Sequence, residues 1–484
     1  MYFQADSDLK EKFKKSGILP DQKIALLCFN SMEYIKLLIQ IIFSGSVVVP
    51  ISPVMPAGKI QSVLKKIGCS KIIVGENIDY EDNALIKSIS LRYFKEELKK
   101  INFQKMVKGF DICKSIGSQN RNASIILTSG STNIPKAVLH TFNNHLYSAI
   151  GSNINILFKA GDCWMVALPL NHVSGFSTIF KTLAGKADIF VKPVGMTFLE
   201  SLQSNNYITH ISLIPAQLQE LLNNANGPGI LRKMKAILIG GSPVPDKLIE
   251  ESKNLGLNIY NSYGSTEMSS QITCTVQNET LNHLKTSGKL LKYRELKISS
   301  ENEILVKGKT LFSGYINHSS SKSTDISSNV DEAGWFTTGD LGYTDDEGYL
   351  HVAGRKDLMF VCNGENIFPE EIEKALKEIK GIEDAIVVPV GKSGNEQKPA
   401  AFLKRVNHFK PDYASISNSL LKKLEFFKIP EFYFNWPYDL EKKSMKPDRE
   451  SYKKRAADLT ENHQVDNQTK SQAGLYGTSE ASKY

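Results

Sequence analysis

A chain of 484 residues is too long for one ordinary core, and 41% hydrophobic with 23% charged residues is the composition of a globular protein. The formal net charge is +8, but the lysines are spread along the chain with no arginine-rich arm or dense basic block. That argues against nucleic acid as a partner and leaves solubility and attraction for anionic ligands.

The N-terminal "MYFQADSDLKEKFKK" contains no apolar signal core. "KIALLCF" (23–29) reads as a buried strand, "SMEYIKLLIQIIFSG" (31–45) as a helix capped by Ser31 and ending near Gly45, and "SVVVPIS" (46–52) as another strand. The most apolar stretch, Tyr34 to Met55, is interrupted by Lys36, Gln40 and several glycine or proline positions, so it is too broken to span a bilayer. Cys28, Cys69, Cys113, Cys163, Cys274 and Cys362 form no Cys-x-x-Cys pair, so neither zinc nor a disulfide framework is expected and a reducing compartment fits. The expected location is the cytoplasm. The many Lys, Asn and Ile residues also fit a plastid-encoded protein of the stroma.

Farther on, "CWMVALPL", "ADIFVKPV", "HISLIPA" and "KAILIGG" are short apolar runs separated by helical patterns such as "PAQLQELLNNA". That rhythm predicts an α/β fold with mostly parallel sheets. After about Ser300, "ENEILVKGKTLFSGYI" and "GYLHVAGR" read as alternating strands in hairpins. From Lys356 the pattern is that of a small α+β unit: helix "PEEIEKALKEI", strands "DAIVVPVG" and "PAAFLKR", and a helix around "ISNSLLKKLEFF". The expected organisation is a large domain over 1–354, a small domain over 355–455 and a disordered tail over 456–484, where apolar groups are few.

Four segments carry chemistry. In "ILTSGSTNIPKAVLHT" (126–141), Thr128, Ser129, Ser131 and Thr132 supply hydroxyls, Gly130 lets the backbone bend and Lys136 closes the run. Successive backbone N–H groups in such a turn form an anion-binding concavity, and the lysine adds a point charge, so phosphate is the natural guest. The spacing is not that of a Walker loop, and Gly391-Lys392-Ser393 has Ile386 where the first glycine must stand. A Ser/Thr-rich surface turn is the bland alternative. "NSYGSTEMSSQ" (261–271) brings Tyr263, Thr266 and Glu267 together, an aromatic face, a hydroxyl and a carboxylate suited to adenine, phosphate and Mg²⁺. Asp340, expected in a turn, is an acceptor for ribose hydroxyls, and Arg355 a donor for phosphate. "SMKPDR" (444–449) isolates Lys446 before a final helix.

In this order and spacing the four segments resemble the adenylate-forming superfamily of acyl-CoA synthetases, peptide-synthetase adenylation domains and luciferases, over nearly all of residues 20–455. The resemblance implies ATP, Mg²⁺ and the co-substrate CoA. A carboxylate attacks the α-phosphate of ATP, and a thiol then displaces AMP from the acyl-adenylate. It implies that Thr128 to Lys136 form the phosphate loop and that Gly240, Gly241, Ser242, Tyr263 and Gly264 line the adenine. Thr266 and Glu267 serve phosphate and Mg²⁺, Asp340 the ribose, Lys446 the adenylation step, and Asp357 is the hinge between domains. Asn133 and Met445 replace glycines usual in the family.

"ALPLNHVSGFSTIFKTLAGKADIFV" and "THISLIPAQLQELL" are similar to the o-succinylbenzoate–CoA ligase branch, which serves menaquinone and phylloquinone synthesis. That implies His172 closing over the carboxylate to be activated, and Lys181 holding the second carboxylate of an aromatic dicarboxylate. On a helix Lys181 shares its face with the small Ser177, Thr178 and Ala184, so its ammonium is expected over a shallow surface. The bland alternatives are a loop histidine bonded to backbone and a lysine snorkelling to solvent. Three other functions remain open: another aryl- or acyl-CoA ligase, an adenylation enzyme loading a carrier-protein thiol, and a nucleotide-binding protein without catalysis. The expected partners are small molecules, with no nucleic acid and no integral membrane segment, and a homo-oligomer is left open.

Overall fold

Runs of β-branched and leucine residues with no polar alternation form strands covered on both faces. Lys23–Leu27 and Val47–Ile51 pair in parallel, linked by the helix Met32–Phe43. Ser31 caps that helix, accepting from the Tyr34 N–H at 3.0 Å. The computed structural model describes residues 5–118, 120–128, 135–320, 323–362, 365–391, 397–406, 412–440 and 447–461.

Among these residues an eight-stranded sheet runs in the order Ser323–Ser327, Gly314–Ser320, Lys136–Thr141, Asn122–Thr128, Val47–Ile51, Lys23–Leu27, Lys71–Val74, Lys87–Ser90. It is parallel from Asn122–Thr128 onward and antiparallel before it. A seven-stranded sheet has the order Lys289–Leu290, Ser270–Cys274, Ile259–Ser265, Ala236–Ile239, His210–Leu213, Cys163–Val166, Asp188–Val191, again parallel except at its first edge. The helices Phe142–Ile156 and Val173–Gly185 join them: Phe142, Phe176 and Phe180 share one apolar core with Ile24 and Val48 of the first sheet and Val166 and Ile189 of the second.

A four-stranded antiparallel sheet follows, in the order Arg294–Ile298, Glu303–Gly308, Phe336–Thr344, Leu350–Arg355. Here the sequence expectation needs correction. "ENEILVKGKTLFSGYI" is not one hairpin. Glu303–Gly308 stays in the four-stranded sheet, whereas Gly314–Ser320 joins the edge of the eight-stranded sheet beside Lys136–Thr141. The chain leaves at Gly308, whose φ of +131° excludes ordinary side chains. The Phe312 N–H then bonds the Glu267 carbonyl and the Ser313 N–H the Leu139 carbonyl, each at 2.8 Å, drawing the segment across.

The last large-domain core residue is Leu350, and two separate cores follow, one beginning at Phe360 and the other at Ile386. They belong to a smaller unit: the hairpin Phe360–Cys362 with Glu365–Ile367, the helix Pro369–Lys377, the strands Ile382–Val390, Lys398–Arg405 and Phe432–Asn435, and the helices Tyr413–Leu421 and Arg449–Glu461. The helix expected near 416–427 stops at Leu421. The Lys423 and Leu424 N–H groups turn back to the Leu420 carbonyl, and Pro430 ends the 3₁₀ turn that follows. The small unit rests on the helix Asp246–Asn254 of the large one, with Lys374 Nζ 2.6 Å from Asp246 Oδ1 and the Asp246 N–H bonding Glu378 Oε1 at 3.2 Å. No helix among the described residues is long and apolar enough to cross a membrane. The disordered tail expected over 456–484 starts too early: residues 456–461 complete the helix Arg449–Glu461, where Ala456 is buried in one core with Tyr452 and Phe402, and from position 462 onward the tail lies outside the described residues.

The final helix is anchored by Arg449, which grips Glu373 with Nη1 at 2.6 Å and Nη2 at 2.8 Å and also bonds the Val387 carbonyl. The Glu373 side chain is 8% exposed and also accepts the Val387 N–H. Arg449→Ala leaves that carboxylate buried and unpaired. It is expected to destabilise the small domain by about 3–5 kcal/mol in urea unfolding. A loss below about 1 kcal/mol would show that the helix is held by its apolar contacts alone.

Candidate active site

The hydroxyl-rich loop connects two adjacent antiparallel strands: Thr128 ends one, Lys136 begins the next, and the two residues face each other in register. Ser129, Gly130, Ser131, Thr132 and Asn133 lie outside the described residues. Lys136 is exposed, and its Nζ sits 5.1 Å from the centroid of the Tyr315 ring.

Tyr315, absent from the sequence-based candidates, connects Lys136 to the turn at 266–269. Its hydroxyl donates to Glu267 Oε1 at 2.7 Å. The second Glu267 oxygen has no hydrogen-bond partner among the described residues. Burial, then the Glu267 charge, pushes the Tyr315 hydroxyl pKa upward, so it stays a donor. Thr266 and Glu267 begin a turn between the antiparallel strands Ile259–Ser265 and Ser270–Cys274. Gly264 permits their approach, because a Cβ there would lie 2.1 Å from the Ser270 carbonyl oxygen.

A second cluster forms around Asp340. This residue is in the strand Phe336–Thr344, not in a turn as expected, because its segment pairs with Leu350–Arg355. The Tyr263 hydroxyl donates to Asp340 Oδ2 at 2.5 Å, and Arg355 Nη1 to Asp340 Oδ1 at 3.3 Å. Arg355 was expected as a phosphate donor. Here its Nε and Nη2 grip both oxygens of Asp357 at 2.9 and 3.1 Å, and Nη1 also bonds the Thr338 carbonyl. The planar fork is thus committed to carboxylates at the start of the interdomain segment. Burial opposes its charge, but Asp357 and Asp340 outweigh burial and raise the Arg355 pKa. The two clusters are neighbours, since the Lys136 charge is felt at Asp357 and the Arg355 charge at Tyr315. Gly240, Gly241 and Ser242 follow the strand Ala236–Ile239, which pairs in parallel with the strand carrying Tyr263. Gly241 and Ser242 are exposed. Lys446 lies outside the described residues, three positions before the anchored Arg449.

His172 is the half-buried N-cap residue of the helix Val173–Gly185, with its backbone N–H on the Pro169 carbonyl at 3.1 Å. Lys181 lies on the same helix, and its expected position over a shallow surface is wrong: the residue is 2% exposed. The small neighbours Ser177 and Thr178 are buried too, because the strand Ser270–Cys274 packs over that face. Lys181 Nζ donates to Gln271 Oε1 at 3.0 Å and lies 4.5 Å from the centroid of the Trp164 ring. No carboxylate among the described residues pairs with it. Ser152 Oγ also donates to Gln271 Oε1, at 2.6 Å, and Arg294 Nε to the Gln271 carbonyl, also at 2.6 Å. Gln271 Nε2 finds no oxygen acceptor, only the nearby Cys274 thiol. Burial pushes the Lys181 pKa down to about 7, with Cys274 partly opposing and Arg294 adding to the shift.

Residues 11–316 match the family of AMP-binding enzymes. A 2-succinylbenzoate--CoA ligase from Oceanobacillus iheyensis is 31% identical over 393 residues, covering 79% of each chain. The o-succinylbenzoate CoA synthetase from Bacillus subtilis in complex with the acyl-adenylate intermediate OSB-AMP superposes with a TM-score of 0.74 at 26% identity, over 88% of this chain and 86% of that one. The same Bacillus subtilis enzyme in complex with ATP and magnesium ion gives a TM-score of 0.73 at 26% identity, over 88% of each chain. The fold is thus that of these adenylate-forming synthetases, a large domain of mostly parallel sheets with a smaller C-terminal domain, and the chain belongs to the AMP-binding enzyme family.

Proposed function

We propose that this chain is an ATP-dependent acid–thiol ligase that activates o-succinylbenzoate as an acyl-adenylate and transfers the acyl group to CoA. The observation that carries this reading is Lys181, a buried cation with an amide and an indole for neighbours and no carboxylate bonded to it among the described residues. A buried ammonium without a counter-ion fits an acid that brings a second, unreactive carboxylate with it. The relatives named for that acid support the same choice.

In this reading the substrate's succinyl carboxylate attacks the α-phosphorus, and the bond to pyrophosphate breaks. The CoA thiolate then attacks the acyl carbonyl, and AMP leaves with the electron pair. In-line transfer at phosphorus needs positioning and charge neutralisation rather than a protein nucleophile. Thr128, Lys136, Thr266 and the loop between Thr128 and Lys136 serve the phosphates, and Lys446 joins them for the first step. Tyr263 with Gly240, Gly241, Ser242 and Gly264 serve the adenine, and Asp340 the ribose. His172 covers the reacting carboxylate. The unpaired oxygen of Glu267 suits Mg²⁺, and among the described residues no group of three His, Cys, Asp or Glu could hold a metal. One carboxylate plus substrate phosphates is the pattern Mg²⁺ uses, and when bound it would neutralise phosphate charge. Arg355 sets Asp340 and Asp357 relative to each other. We place the domain boundary at 354/355, with Asp357 as the hinge, and the enzyme in the cytoplasm.

Two measurements test these assignments. Lys181 binds a carboxylate only when protonated, and its charge is present below about pH 7 and lost above it. KM for the acid should therefore be flat below about pH 6 and rise by up to about tenfold per pH unit above about pH 8, while KM for ATP does not follow. Lys181→Ala should raise KM for the acid roughly 10- to 150-fold with little change for ATP. An unaltered KM for the acid would remove Lys181 from the site. Lys446→Ala should reduce adenylate formation by about a hundredfold or more, while thioester formation from supplied acyl-adenylate stays near normal. Equal loss of both half-reactions would contradict its assignment to the first step.

A further inference from the structure

Two imidazoles that no step above uses lie at the junction of the site's supporting elements. His140, on the strand Lys136–Thr141, and His145, on the first turn of the helix Phe142–Ile156, are 0% and 1% exposed, with ring centroids 4.7 Å apart. Burial lowers the His140 pKa to about 4, with the hydrogen bond to Thr266 opposing it. Burial and then His140 hold His145 well below its ordinary value. Both rings are therefore neutral at working pH, with one N–H each.

The His140 contact fixes its tautomer. Nε2 lies 2.7 Å from the Thr266 carbonyl oxygen, which only accepts, so the proton is on Nε2 and that N–H donates. Nδ1 is then a bare lone pair with no hydrogen-bond partner among the described residues. The Ser269 N–H already satisfies the Thr266 carbonyl at 3.0 Å, so the second donor is not needed to avoid an orphan. Its effect is directional. The Thr266 carbonyl held by His140 and the Glu267 carbonyl held by the Phe312 N–H fix the peptide planes on both sides of Glu267. His145 extends the bracing: Nε2 pairs with Ser124 Oγ at 2.7 Å, and the ring stacks 4.8 Å from Phe180 on the helix that carries His172 and Lys181.

We propose that His140 is a positioning residue, whose Nε2–H orients the Thr266–Glu267 peptide so that the hydroxyl and carboxylate meet the phosphates and Mg²⁺ of ATP. This rests on the reading of that turn given above. His140→Gln keeps an N–H donor, and His140→Leu fills the space without one. The readouts are MgATP affinity by titration calorimetry, KM for the acid, and the melting temperature of the ligand-free protein. His140→Leu should weaken MgATP binding about tenfold, with the acid KM within about twofold and the melting temperature close to wild type. His140→Gln should recover most of the MgATP affinity. Wild-type MgATP affinity in His140→Leu overturns the proposal, as does equal loss in both variants accompanied by a fall in melting temperature. Glu267→Gln separates the two levels. If it binds MgATP like wild type, the reading of the turn fails and the proposal with it. If it weakens binding while His140→Leu does not, only the positioning role fails.

Discussion

A lysine ammonium sealed inside the large domain, with no carboxylate bonded to it among the described residues, is the constraint on which the proposed acid end of the site depends. Removing a charge from water costs on the order of several kcal/mol even after relaxation, and an amide oxygen and an indole face return only part of that. The fold meets the cost by holding Lys181 near its discharge point and by fixing everything around it. Gln271 accepts from Lys181 and Ser152 with its side chain and from Arg294 with its backbone. Arg294, itself buried with its pKa lowered to about 9 by burial, also bonds the carbonyl and hydroxyl of Ser148. Two buried cations thus converge on one glutamine. In the proposed reading, the second carboxylate of the acid is what these two fixed cations answer.

That glutamine lies four residues after Glu267, so one β-hairpin connects the two ends of the proposed site. Its first strand carries Tyr263, its turn Thr266 and Glu267, and its second strand Gln271. Tyrosine hydroxyls set two carboxylates of the nucleotide end: Tyr315 bonds Glu267 and Tyr263 bonds Asp340. Arg355 then joins Asp340 to Asp357, at the point where the large-domain cores stop. Any rotation of the small domain about this segment acts on a guanidinium that also holds Asp340.

Local patterns in the sequence were enough for the buried parallel strands, the Ser31 cap and the small α+β unit, because each rests on residues within one turn or one strand. They failed where the partner is far along the chain. Lys181 has small neighbours and reads as a surface lysine, and what covers it is Gln271, 90 residues later. Gly314–Ser320 follows Glu303–Gly308 closely and reads as its hairpin partner, yet its edge is completed by Lys136–Thr141. Tyr315 has no local signal at all, since its meaning comes from Glu267, 48 residues earlier. The nucleotide-site roles came from a family resemblance of ordered motifs, and the geometry adds how the carboxylates in those motifs are held.

The central claim is that the buried Lys181 reads a second carboxylate, which makes the acid a dicarboxylate. The most direct measurement compares pyrophosphate release, near pH 6.5 and with CoA present, for o-succinylbenzoate and for the same keto acid lacking the ring carboxylate. The account predicts a kcat/KM preference of roughly 10- to 150-fold for the dicarboxylate, the usual size of one charge-assisted hydrogen bond. Equal activation of the two acids would contradict it.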